Sequence, residues 1–285
     1  VNYRHAFHAG NFGDVLKHVV LLELLSALHR KASPVHLIDS HAGIGVYDLA
    51  SSEAQRGGEY RLGVGAVLAD PAAPRILPAY HAALKALNPE LGSSGEGLRR
   101  YPGSPWLLRQ SLRSDDRLTL CELHPQDIET LKRNMGRDPR IAVHHRDGFE
   151  ALKALTPPVP RRGLALIDPA FEAKDEFTTL SRAVQAAHRR WATGLLAIWY
   201  PVKDQKSIDR WKADLAAPLT AQTIAVELTI RPAKEARQMN GSGLIVVNPP
   251  WQFADSLKPM LDFLKARLAR EAGATARIET LVEVD

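Results

Sequence analysis

The stretch "VHLIDSHAGIG", residues 35–45, decides how this chain is read. An apolar run ends in Asp39, and glycines follow at positions 43 and 45. This is the pattern of a buried strand entering a tight turn, where glycine lets the chain bend and lets a ligand approach the backbone. It only partly matches a dinucleotide fingerprint, because the third glycine is missing. Asp39 and His41 flank the turn.

The same design recurs outward from this point. Further apolar runs are "LTLCE" (118–122), "IAVHH" (141–145), "LALID" (164–168), "LLAIWY" (195–200), "IAVELTI" (224–230) and "GLIVVN" (243–248). Helical patterns near 126–135, 149–155, 176–192, 205–216 and 254–270 separate most of them. "DVLKHVVLLELLSALHR" (14–30) reads as an amphipathic helix with Asp14 as its cap. Alternation of this kind predicts an α/β fold with a mostly parallel, doubly wound sheet of seven strands. No helix separates the last two runs, so one strand is expected to be antiparallel. Residues 51–100 offer no convincing strand. They contain the helical stretch "ILPAYHAALKAL" (76–87) and the connector "ELGSSGEG". The expected organisation is one domain from 1–50 and 101–285, with a helical insertion at 51–100.

Composition narrows the class. The chain has 285 residues, 45% apolar and 24% charged, an ordinary globular balance. No apolar run reaches the roughly 18 residues of a membrane span. The opening "VNYRHAFHAG" lacks a signal peptide's apolar core. A single cysteine, Cys121, excludes an internal disulfide and a cysteine-based zinc site. The expectation is a cytoplasmic protein with no membrane partner. A net charge of +5 is mildly basic, and the pairs Arg99-Arg100, Arg161-Arg162 and Arg189-Arg190 allow a phosphate-binding face.

Ligands of open parallel sheets bind beyond the carboxyl ends of the strands. Glu122 ends the second strand, where an acid accepts hydrogen bonds from ribose hydroxyls. "RDGF" ends the third, and Asp147 could accept from an adenine amino group. With no Walker lysine loop and only a partial phosphate turn, these acids point to S-adenosylmethionine. NAD is the rival, but its pyrophosphate calls for the fuller glycine pattern.

Two proline tips then compete for the chemistry, "RRGLALIDPAF" (161–171) and "SGLIVVNPPW" (242–251). The residue before proline is pushed to extended geometry, which holds Asp168 at its strand end. Its carboxylate and the Pro169 carbonyl form two acceptors suited to an exocyclic NH₂, and Phe171 could stack on the same base. The second tip ends the antiparallel strand and points away, so it reads as structural, with Trp251 packed as core or cover.

The segments "NYRHAFHAGNFGDVLKH", "DSHAGIGVY", "YPGSPWLLRQ", "CELHP", "DGF", "RRGLALIDPAF", "WYPV" and "SGLIVVNPPW" resemble the RlmJ family over nearly the whole chain. That family consists of bacterial methyltransferases acting on an adenine amino nitrogen (N6) in 23S ribosomal RNA. The resemblance implies a Rossmann-like class I methyltransferase fold with a small helical insertion. It implies cofactor contacts from His18, His41, Ser104, Glu122, Asp147 and Gly148, and Asp168 as the catalytic residue. Tyr3, His5 and Lys17 would lie near the target base or cover the cofactor, with Pro169 and Phe171 on the substrate side. The family usually reads Asp-Pro-Pro-Tyr, whereas this chain has Asp-Pro-Ala-Phe. Phenylalanine keeps a stacking face and loses a hydroxyl, and alanine relaxes the turn.

The pairs His5/His8 and His144-His145 lack an acid in ligand spacing, so no metal is expected. Ser104 also reads as a helix cap before "WLLRQSL". The expected reaction is in-line methyl transfer to a flipped-out or unpaired adenine of naked or partly assembled ribosomal RNA, by a monomer. DNA adenine or protein glutamine are alternative acceptors. An NAD-dependent oxidoreductase and a non-catalytic RNA-binding protein are alternatives from other classes.

Overall fold

A computed structural model describes residues 4–233 and 238–284. A short 3-10 turn, His5–Phe7, leads into α1 (Phe12–His29), β1 (His36–Asp39) and β2 (Val46–Asp48). Five short helices follow: α2 (Ser52–Gly57), α3 (Glu59–Leu62), α4 (Val64–Leu68), α5 (Ala73–Ile76) and α6 (Pro78–Leu87). Next come β3 (Arg100–Pro102), α7 (Ser104–Ser111), β4 (Arg117–Glu122), α8 (Pro125–Met135), β5 (Ile141–His145) and α9 (Gly148–Leu155). The remainder is β6 (Gly163–Ile167), α10 (Glu176–Arg190), β7 (Leu195–Val202), α11 (Gln205–Ala216), β8 (Thr223–Thr229), β9 (Gly241–Val247), α12 (Phe253–Leu268) and β10 (Ala276–Val282).

The main sheet has eight strands in the order β10-β8-β9-β7-β6-β1-β4-β5. Strands β7, β6, β1, β4 and β5 pair in parallel. β9 runs against both β7 and β8, and β10 runs against β8. The expected class therefore holds, with one strand more than the seven read from the sequence and two strands opposed to the rest. The extra strand, β10, carries the charges of Arg277 and Glu279, which disguised it. Those charges meet buried partners: Arg277 Nε donates to Glu227 Oε2 at 2.6 Å, and Lys212 Nζ donates to Glu279 Oε2 at 2.6 Å. Glu227 also accepts from the Tyr200 hydroxyl at 2.7 Å, so the buried acid at the centre of this edge is fully partnered. The small β2–β3 hairpin forms a second sheet.

Helix α1 is not the one-sided amphipathic helix its pattern predicted. Every residue from Phe12 to Leu21 is buried, because the sheet lies on one side and the helices α6, α7 and α12 lie on the other. A helix enclosed in this way carries apolar residues all round. Its cap is Asn11, whose side chain accepts from the Asp14 N–H at 3.0 Å. Asp14 sits one turn inside the helix and has other partners. Ser104 likewise is the first residue of α7 and not its cap, which is Gly103.

The antiparallel turn of β9 carries "NPPW" to the edge of the sheet away from the parallel tips. There Asn248 Nδ2 donates to the Ala192 and Gly194 carbonyls, each at 2.8 Å. Asn248 has φ 58°, and its amide side chain satisfies the neighbouring loop. Trp251 is 79% exposed and covers nothing, contrary to the expected core or cover role.

Candidate active site

Register aligns the tips. Asp39 of β1 stands level with Leu120 of β4 and Leu166 of β6. Glu122 and Asp168 therefore emerge two residues further along, on either side of the β1 turn, and His145 of β5 stands level with Glu122. The sheet thus brings four strand tips to one cavity of about 1010 Å³, lined among others by His18, His41, Glu122, Asp147, Asp168 and Phe171. That is large enough for a nucleoside cofactor and a second nucleoside.

The β1 turn and the β4 tip are tied together. The Gly43 N–H donates to Glu122 Oε2 at 2.8 Å, and the His124 N–H donates to Oε1 at 2.7 Å. Each carboxylate oxygen keeps a further lone pair for a ligand hydroxyl. Gly43 has φ +61°, and a Cβ there would meet the Tyr47 hydroxyl at 2.5 Å. At Gly148 a Cβ would lie 2.2 Å from the Ser40 carbonyl, so only glycine allows β1 and α9 to approach this closely. Asp147 caps α9, accepting from the Phe149 and Glu150 N–H groups at 3.0 Å each through Oδ1. Its second oxygen is left for a ligand.

His41 accepts or donates through Nδ1 with Ser40 Oγ at 2.8 Å and meets Phe149 edge-on. Burial lowers its pKa to about 4. Burial, reinforced by the Lys17 charge, lowers that of His18 to about 3. Both imidazoles are neutral at physiological pH. His18 Nε2 is buried with no hydrogen-bond partner among the described residues, on a residue that lines the cavity.

Behind these groups lies a buried charge cluster that the sequence reading did not assemble. Lys17 Nζ donates to Asp14 Oδ1 at 2.8 Å and to Asp168 Oδ2 at 2.6 Å. Asp14 Oδ2 accepts from the Gly10 N–H at 2.9 Å and pairs with His5 Nε2 at 2.9 Å. Burial alone would raise Asp14, but the His5 and Lys17 charges overturn it and hold the carboxyl well below its usual range. The two carboxylates likewise outweigh the burial of Lys17 and hold its ammonium well above the ordinary range. The i, i+3 spacing of Asp14 and Lys17 was the available signal. Asp39, one step back on β1, is fully buried. Burial raises its pKa to about 7; Ser104 nearby opposes this and the Asp168 charge adds to it.

The opening motif is also anchored to the helical stretch. Glu59 of α3 bonds His8 Nδ1 at 2.9 Å and accepts from Asn11 Nδ2 at 3.0 Å. His5 meets Tyr47 edge-on at 5.0 Å. Tyr3 lies outside the described residues. Beyond the β6 tip, Pro169 and Phe171 both line the cavity. Phe171 adopts φ 54°, uncommon for a bulky residue, and its ring packs 4.7 Å from Phe177 and 5.8 Å from Trp199. Trp199 was not expected in the site. It enters because β7 runs on past the β6 tip. Among the described residues no group of three His, Cys, Asp or Glu side chains is arranged to hold a metal ion.

The residues present fit S-adenosylmethionine: a carboxylate at the second strand tip, a glycine turn against it, and an unpartnered imidazole nitrogen on the same cavity. Strand order and site together define a Rossmann-like class I methyltransferase that uses S-adenosylmethionine. A family model described as "Ribosomal RNA large subunit methyltransferase D, RlmJ" matches residues 32–281, and the chain belongs to this family. A protein named ribosomal RNA large subunit methyltransferase J from Escherichia coli is 40% identical over 282 residues, covering 99% of both chains. Its namesake from Haemophilus influenzae is 38% identical over 279 residues, covering 98% of both. The crystal structure of protein LPL1258 from Legionella pneumophila superposes with a TM-score of 0.83 at 33% identity, covering 96% of this chain and 98% of that one. Among the described residues no helix is long and apolar enough to cross a membrane.

Proposed function

We propose that this chain transfers the methyl group of S-adenosylmethionine to the exocyclic N6 of an adenine in 23S ribosomal RNA. The observation that carries the acceptor side is Asp168, at the tip of a parallel strand and held 2.6 Å from the buried Lys17 ammonium. Bound S-adenosylmethionine supplies an electrophilic methyl group on its sulfonium. The chain's residues do the rest. An adenine amino lone pair is delocalised into the ring and is a poor nucleophile. The Asp168 carboxylate and the Pro169 carbonyl each accept one N–H, draw the nitrogen toward tetrahedral geometry and localise the pair. The hydrogen bond from Lys17 holds the Asp168 carboxylate in place, and it accepts from the amino group and takes the departing proton late. Phe171 stacks on the base. Glu122 holds the ribose of the cofactor, Asp147 its adenine, and His18, His41, Ser104 and Gly148 complete that half. Most of the acceleration comes from alignment, which is worth effective molarities on the order of 10⁵ M or more.

A base inside a duplex cannot reach strand tips at the floor of a cavity, so the adenine is unpaired or flipped out. In this reading a monomer acts in the cytoplasm on naked or partly assembled RNA, and residues 51–100 form an inserted subdomain that anchors the opening motif through Glu59. Tritiated S-adenosylmethionine offered with naked 23S RNA, assembled large subunits, DNA and protein tests it. The label is expected in N6-methyladenosine from the RNA. Label confined to DNA or protein overturns the acceptor assignment.

A further inference from the structure

A buried line of three polar groups connects the helical stretch to the cofactor half of the cavity. The Tyr80 hydroxyl on α6 lies 3.0 Å from the Tyr101 hydroxyl on β3, and that hydroxyl lies 3.0 Å from His18 Nδ1. Tyr80, Tyr101 and His18 are all essentially inaccessible, at 2%, 0% and 1% exposure. The imidazole and phenol planes are nearly parallel, at 23°.

The number of protons on this line fixes its direction. Each tyrosine brings one O–H donor, and neutral imidazole brings one N–H and one bare nitrogen. Among the described residues the Tyr80 hydroxyl bonds only Tyr101, so its proton is satisfied by donation to the Tyr101 oxygen. The Tyr101 proton is then directed to His18 Nδ1, which must be the bare nitrogen. The imidazole proton is left on Nε2, the buried atom that lacks a partner and belongs to a cavity-lining residue. The reverse direction strands the Tyr80 proton in the apolar core, where an unmade hydrogen bond is costly. The depressed pKa of His18 agrees, since an imidazolium would present donors at both nitrogens.

We propose that Tyr101, directed by Tyr80, is a positioning residue that locks His18 as the Nε2–H tautomer, so that it offers a single N–H donor to the carboxylate of the cofactor's amino-acid end. This deepens the proposed function and rests on its placement of His18 in the cofactor half. A carboxylate is the ligand group that such a donor suits, because it only accepts hydrogen bonds when ionised.

Nitrogen-15 spectra of the ligand-free protein, with His18 assigned through a His18→Ala variant, read the tautomer directly. The proton is expected on Nε2 in the wild type. Tyr101→Phe removes one oxygen and is expected to populate the Nδ1–H form. It should also weaken binding of S-adenosylhomocysteine about fivefold by calorimetry, the size of one lost hydrogen bond. Tyr80→Phe keeps the Tyr101 donor and should retain the tautomer and bind within about twofold of wild type. A proton found on Nδ1 in the wild type overturns the relay. So does a folded Tyr101→Phe protein with unchanged tautomer and affinity. His18→Ala separates the two readings: unchanged cofactor binding in that variant removes His18 from the cofactor half altogether.

Discussion

Asp168 lines the cavity and Asp39 lies buried behind it at the end of β1, and the two are held in opposite regimes. Asp168 has an ammonium 2.6 Å away, whereas Asp39 Oδ2 is buried with no hydrogen-bond partner among the described residues. Asp168→Ala should therefore abolish methyl transfer while leaving cofactor affinity within about tenfold, since the cofactor contacts proposed above come from other tips. Calorimetry beside single-turnover methylation checks this, and retained turnover removes Asp168 from its role. Asp39 makes a different prediction. Its folded pKa is about 7 against an ordinary 3.8. Below pH 4 both folded and unfolded chains carry the proton, and the group has no effect. From pH 4 to 7 the unfolded chain releases it first, so stability falls as pH rises and then levels. The full penalty is on the order of 4 kcal/mol. Asp39→Asn lacks this titration and should gain on the wild type between pH 4 and 7. Urea unfolding at several pH values measures it, and parallel curves for the two proteins contradict it.

At the scale of elements, the edge formed by β8 and β10 is held by charge as much as by apolar packing. Glu227 is 1% exposed and is met by Lys212 at 2.9 Å and Arg277 at 2.6 Å. Removing one partner of a buried pair leaves the others uncompensated, which typically costs about 3–5 kcal/mol. Glu227→Ala should lose stability on that scale, and the β10 amides should lose hydrogen-exchange protection first. A loss below about 1 kcal/mol means that solvent reaches the cluster. This edge also explains why β10 escaped the sequence reading. In "ARIETLV" the charges at Arg277 and Glu279 imitate a solvated face, and the register shift between Thr280 and Val282 breaks the alternation. By contrast, β4 and β6 start and end within two residues of their predicted bounds, because buried parallel strands read as uninterrupted apolar runs.

Across the whole molecule, strand direction separates the two proline tips. β9 pairs antiparallel with β7, so Asn248 and Asp168 lie at opposite edges of the sheet. On β7 the register sets Asp168 level with Trp199 and Asn248 level with Leu195, four strand residues apart at about 3.3 Å each and on strands to either side of β7, beyond the reach of any side chain. Asn248→Ala should leave the single-turnover rate unchanged. It should cost about 1–3 kcal/mol of stability, because two loop carbonyls lose their donor and alanine tolerates φ 58° poorly. A hundredfold fall in rate in a folded Asn248→Ala protein is the result that would reverse this assignment.

The sequence by itself determined the layers, the parallel direction of the central strands and the acids at their tips. Those features depend on runs of neighbouring residues, and apolar period and proline geometry are local properties. It also placed the Asp168 and Asn248 tips at opposite ends of the sheet, since the missing helix between the last two runs already implied a reversal. Tertiary structure alone decided what those acids touch. Lys17 and Asp168 are 151 positions apart and share a hydrogen bond only because α1 lies beneath the β6 tip. Asp14, expected to cap a helix, became the buried partner of His5 and Lys17 by the same packing. The line from Tyr80 through Tyr101 to His18 crosses three elements, and no spacing in the chain announces it. Charge and hydrogen-bond partners in a dry interior are set by distances through space, and residues far apart in sequence supply them.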